Sequence, residues 1–181
     1  MLNLATWSWI IAGALALSGV AALANPAGLR AALGRFPRNA MAGRVLAGAA
    51  MIWVAMLVWR FPLGSFDAYK PALWVLAPAA YYLTITFAAE LLAPRALGGL
   101  LLLLAGPALA AARFHPSAWR LAVVLLAYAW IVSGMALVLS PWLFRKLLVE
   151  HINATDRRCR LAGAARLALS LALALLAGRV F

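Results

Sequence analysis

The spacing of charged residues constrains this chain more than any other feature. Residues 1–29, 45–59, 71–89, 96–112 and 121–144 contain no Asp, Glu, Lys or Arg, and a charged residue ends each run. Crossing the hydrocarbon of a bilayer takes about twenty mostly apolar residues in a helix, so each run predicts one span. A sixth, over 160–178, holds Arg166, which can extend its aliphatic stem toward the interface from near a helix end. Composition is needed only to exclude the alternatives. At 67% hydrophobic and 11% charged, the chain lies far from soluble globular proteins, which are near half apolar and roughly a quarter charged. Disorder and collagen are excluded with them, and Cys159, the one cysteine, rules out an intrachain disulfide scaffold.

The prediction is therefore an all-α polytopic membrane protein of about six transmembrane helices. Residues 7–24 could pass for a secretory signal, with Ala22-Leu23-Ala24 before Asn25 as a cleavage site. A signal peptide carries its positive charge ahead of the apolar run, whereas the first cation here is Arg30. The segment reads as a retained first helix.

The formal net charge of +12 would suggest nucleic acid in a soluble protein. Here the cations interrupt apolar stretches instead of forming a polar-supported basic surface, so no nucleic-acid partner is expected and a phospholipid bilayer is. Arg30, Arg35, Arg38 and Arg44 follow the first span, Arg95 follows the third, and Arg145, Lys146, Arg157, Arg158 and Arg160 follow the fifth. The positive-inside rule makes these connections cytoplasmic, forming a face toward lipid or a partner, and leaves both termini outside. Trp7, Trp9, Trp59, Phe61, Phe66, Tyr69, Trp74, Phe114 and Trp119 fall at the expected outer interface, where amphipathic rings collect.

The chain also aligns on itself. Ala12 to Ala50 matches Ala127 to Ala165 without a gap, pairing Ser18-Gly19 with Ser133-Gly134, Pro26 with Pro141, Arg30 with Arg145, and Leu46-Ala47-Gly48 with Leu161-Ala162-Gly163. The expectation is a duplicated helical hairpin, over 5–60 and 119–178, with a central hairpin over 71–113 inserted between the copies. All three belong to one membrane domain, 1–181. Corresponding helices of the two copies lie four apart along the chain, an even number, so the copies point the same way as a parallel repeat. Asn25-Pro26 and Ser140-Pro141 each place an N-cap residue before a proline suited to a first helical turn. After Pro141 the pattern predicts an amphipathic helix lying in the interface. The chain re-enters the membrane at Thr155-Asp156, where a cap and an acid suit the positive end of a helix.

In Gly134, Pro141, Phe144-Arg145-Lys146, Asp156, Arg160 and Gly163, the second copy resembles the YjeT-like family of small bacterial inner-membrane hairpin proteins. The resemblance covers 119–178. The first copy, over 7–60, keeps Gly19, Pro26, Arg30 and Gly48 but has Met41 at the acidic position. The family's Glu before the first Gly is replaced by Ser18 and Ser133. The resemblance implies hairpin topology and a bacterial inner membrane, without an activity.

Chemistry-bearing residues are sparse. Tyr82, Thr86 and Glu90 recur at helical spacing in the third span, a polar stripe, and an acid in or at the edge of a span is a candidate site. One reading is a proton or cation relay. The other is an ion pair, Glu90 with Arg95 or with Arg166 at similar depth. His115 and His151 fall on opposite sides, so no metal or other cofactor is expected. His115-Pro116-Ser117 reads as a tight turn, Gly98-Gly99 as helix packing, and Asn153-Ala154-Thr155 as a cytoplasmic match to a glycosylation acceptor. Small residues on helix 6, at Ala164, Ala168 and Ala172 and at Ser170, Ala174 and Gly178, predict close packing. The resulting expectation is a non-catalytic accessory subunit of a larger membrane complex, not an enzyme. The alternative is a small transporter or channel using the third-span stripe. Homo-oligomerisation stays open.

Overall fold

The computed structural model describes residues 3–88 and 90–180. Every regular element among them is helical. The α-helices are α1 (Leu4–Ala24), α2 (Pro26–Arg35), α3 (Ala40–Arg60), α4 (Leu73–Phe87), α5 (Leu92–Ala112), α6 (Arg120–Leu139) and α7 (Asp156–Arg179). Five of them, α1, α3, α5, α6 and α7, are long and apolar enough to cross a membrane. The run over 71–89 yields α4, 15 residues long and about 22 Å from end to end. Its last residue, Ala89, lies outside the described residues. The preceding Gly64–Ala72 is 3-10 helix with Pro71 inside it, and Pro78 removes a further donor within α4.

Sequence-encoded caps set several helix starts. Asn3, Asn25, Asn39 and Thr155 each accept a hydrogen bond from the backbone N–H three residues on, opening α1, α2, α3 and α7. Pro26 takes the first turn of α2 as its missing donor allows. The second copy departs from this pattern. After Pro141 the segment expected to lie in the interface is π-helical over Phe144–Ile152, so its ring-closing contacts fall five residues apart. Arg145 bonds Glu150 at 3.0 Å, and the Asn153 side chain donates to the Leu148 carbonyl at 2.7 Å.

The expected hairpins do not pack as hairpins. α1 lies along α7, and α5 lies along α6, as the two most extensive contacts in the molecule. α3 packs against α5 instead of α1. The α3–α5 pair is parallel, since Gly43 meets Leu92 and Ala93, and one turn further on Ala47 clusters with Ala96. α4 returns antiparallel beside α3, with Trp74 against Trp59 at one end and Tyr81 bonded to the Arg44 carbonyl toward the other. Two apolar clusters form the core where α1 meets its neighbours. One joins Leu4, Ile11, Ala112, Val123 and Leu173, and the other joins Trp7, Ala105, Ala108 and Ala127. Trp7 is thus buried among helices, while Trp9, Trp59, Phe61, Phe66, Tyr69, Trp74, Phe114 and Trp119 are exposed. Trp130 packs against both clusters.

Candidate functional site

Glycines determine how closely the helices approach. A Cβ added at Gly19 would stand 2.9 Å from the Gly163 carbonyl oxygen, and one at Gly163 would stand 3.0 Å from that of Gly19. Backbones therefore touch where α1 crosses α7, as small residues permit in membranes. Seven residues further along α7, the buried Ser170 hydroxyl donates to the Ala12 carbonyl at 2.7 Å. A second crossing joins Gly98 of α5 to Gly134 of α6, where an added Cβ on either would lie 2.7 Å from the other's carbonyl oxygen. Gly99 has nothing within 4 Å, so only the first glycine of that pair serves packing.

In the sequence alignment of the two halves, Gly19 corresponds to Gly134 and Gly163 to Gly48. Gly19 meets Gly163. Gly134, however, meets Gly98, and Gly48 is left without a helix backbone against it. Its nearest neighbour is the Tyr81 ring at 3.6 Å. Gly48, aligned with Gly163, lines an apolar groove of about 570 Å³ together with Met51 and Ala55, which stand at the same 115-residue offset from Arg166 and Ser170 just beyond the aligned stretch. α4 supplies the other wall through Trp74, Ala77 and Tyr81. None of α4's residues is buried, so it covers the groove loosely. The Trp59 and Trp74 rings meet edge-on at 6.4 Å at one end, and the Tyr81 hydroxyl donates to the Arg44 carbonyl at 3.3 Å toward the other.

The polar stripe lies outside this groove. Tyr82 is 64% exposed, and the Thr86 hydroxyl donates to its own helix at the Tyr82 carbonyl, which satisfies it without a ligand. α4 ends at Phe87, so the exposed Glu90 stands beyond the helix in a turn. There it shares a cavity of about 510 Å³ with Pro37, Arg38 and Asn39. Leu91 follows with φ 53°, a left-handed conformation that turns the chain into α5. Arg166 lies on α7 between Gly163 and Ser170, half-buried. The ion pairs among the described residues are Arg30–Asp156, Lys70–Asp67 and Arg145–Glu150. Glu90 therefore pairs with neither Arg95 nor Arg166. The physical reason is that α7 is docked on α1, whereas the Glu90 turn packs against residues 37–40.

Cations gather at one end of the bundle. Arg30 reaches from α2 to the start of α7, donating to Asp156 and to the Ala154 carbonyl, both at 2.7 Å. This contact links the first half to the second. Arg145, aligned with Arg30, has Met41 at the position matching Asp156 and bonds Glu150 instead. Lys146 stacks over Trp142 at 5.3 Å, and the Phe36 and Phe144 rings meet at 5.1 Å. Arg35, Arg38, Arg44, Arg157, Arg158 and Arg160 are exposed. Pro26, Pro141 and Cys159 are buried under them, and the Cys159 thiol lies 4.0 Å from the Pro26 carbonyl. Asn153 is buried too, as a structural side chain of the π segment.

At the opposite end, Arg120 donates to the Arg113 and His115 carbonyls and braces the α5–α6 turn. Ser117 accepts from the Trp119 N–H there. Asp67 accepts from Lys70 and from the Leu63 N–H, and these contacts, the Lys70 bond foremost, hold its carboxyl below the usual carboxylate range. Sequence reasoning missed the Arg30–Asp156 tie and the Ser170 bond to Ala12, although Arg30, Asp156 and Ala12 all lie within the aligned stretches. Comparison with protein-family models, curated proteins and solved structures found no match for this chain.

Proposed function

We propose that this chain is a non-catalytic accessory subunit of the bacterial inner membrane, packing a helix of a larger complex into the α3–α4 groove. The observation that carries the proposal is the open Gly48 face. Its counterpart on α7 accepts a whole helix, α1, through Gly163 and Ser170, whereas Gly48 has only the Tyr81 ring of the loosely seated α4 against it, and Met51 and Ala55 line the groove beside it. Small residues that admit a neighbouring backbone are the usual means of helix association in lipid. The reading includes six crossings. α3 and α5 start at the same end, so the chain between Arg60 and Leu92 must return across the bilayer, and α4 with its 3-10 lead is that return. Both termini then lie outside and the basic end faces the cytoplasm. The hairpin duplication and the YjeT-like resemblance are part of the same reading.

The test is mild extraction of the tagged full chain from its own membrane, followed by native mass spectrometry. A stoichiometric membrane protein that is lost from Gly48→Leu and retained by Gly99→Ala is the expected result. A chain that stays alone and supports an ion flux abolished by Glu90→Gln overturns it in favour of a transporter.

A further inference from the structure

Where α7 begins beside the end of α1, a cleft of about 550 Å³ is lined by Arg157 and Arg160 at its rim and by Leu23, Leu161 and Ala164 below. We propose that it binds the phosphate of an anionic phospholipid, whose acyl chain runs down the outer side of the α1–α7 pair. Arg157 and Arg160 are three residues apart and share one helix face. Among the described residues neither side chain enters a hydrogen bond or ion pair, unlike Arg30, Arg120, Arg145 and Arg158. The acid at the cleft, Asp156, is already held by Arg30 at 2.7 Å, which leaves the rim positive.

Arg160 is the last charged residue before the apolar turn Leu161–Ala165, so the rim stands at headgroup depth. Below it the wall is hydrocarbon-compatible, formed by Leu23, Leu161 and Ala164, with Leu23 and Leu161 exposed. A planar guanidinium pairs bidentately with phosphate. Two of them on one rim favour a headgroup whose only charge is its phosphate. A choline or ethanolamine headgroup would bring an ammonium to the rim that Arg157 and Arg160 already make positive, a like charge. The cleft requires that α7 cross the membrane and does not depend on the accessory-subunit reading.

The experiment titrates the detergent-solubilised full chain with dipalmitoyl phosphatidylglycerol or dipalmitoyl phosphatidylcholine and counts bound lipid by native mass spectrometry. The expected result is one phosphatidylglycerol per chain, held about tenfold or more weaker by Arg157→Gln/Arg160→Gln. Equal retention of the two lipids overturns the proposal. So does an equal loss from Arg35→Gln/Arg38→Gln, which removes two cations from the same end outside the cleft. Inorganic phosphate that binds the chain and displaces the lipid assigns the site to free phosphate and overturns the lipid source. Both arginines are exposed, so an unchanged unfolding transition in the double variant separates lost binding from lost fold.

Discussion

At single residues, two hydrogens in place of side chains decide the α1–α7 crossing. Gly19→Leu or Gly163→Leu forces backbones apart and should destabilise the chain by about 1–3 kcal/mol or more, read as a shift in unfolding midpoint in mixed micelles. Gly99→Ala, with open space around it, should leave the midpoint unchanged. Ser170→Ala removes the bond to the Ala12 carbonyl and should lower stability by about 0.6 kcal/mol, the average for such bonds between membrane helices. Asp67 gives the pH dependence. Its folded pKa is depressed, so its contribution is complete above the unfolded value of about 4 and is lost as pH falls through the lower folded value. Protection of the Leu63 amide relative to its intrinsic exchange, from its bond to Asp67 at 3.1 Å, should fall over that acidic window and should be absent at every pH in Asp67→Ala, which has no acceptor. The glycines and caps were visible in the sequence as residue types at helical spacing. Their partners were not, because a glycine marks a close approach without naming what approaches.

Among the α-helices, α4 is set apart by having no buried residue, and it carries a proline inside it. Local stability follows buried contact and protected backbone bonds, so α4 amides should exchange faster than those of α1 and α6 when the chain is held in a nanodisc. Pro78→Ala restores a backbone donor to α4 and should slow that exchange. The charge-free run over 71–89 predicted a full span, and the helix is shorter because Pro71 sits in 3-10 geometry before it and the chain leaves α-helix after Phe87. Hydropathy reports how apolar a run is and is silent on where backbone geometry changes. The segment after Pro141 shows the same limit. Its amphipathic pattern was legible, but the π winding that pairs Arg145 with Glu150 was not.

In the whole molecule, the six-crossing reading places Asn3 and Arg179 on the same side. Single cysteines introduced at these two positions should react together with a membrane-impermeant reagent applied from outside, and Arg38→Cys should stay unlabelled until the membrane is opened. Opposite labelling of the two ends would leave an odd number of crossings. The sequence by itself determined the helices' approximate limits, the basic end and the equivalence of Gly19 with Gly134 and of Gly48 with Gly163. Charge in hydrocarbon is costly wherever the helix packs, so the ends of apolar runs are readable one segment at a time. Only the tertiary structure decided that α1 pairs with α7, that α5 takes the place against α6, and that the Gly48 face is left open. Lipid tails are as apolar as leucine, so no difference in hydrophobicity directs one helix to another. That choice rests on the fit of small-residue surfaces, and this chain carries such surfaces on more helix faces than it fills.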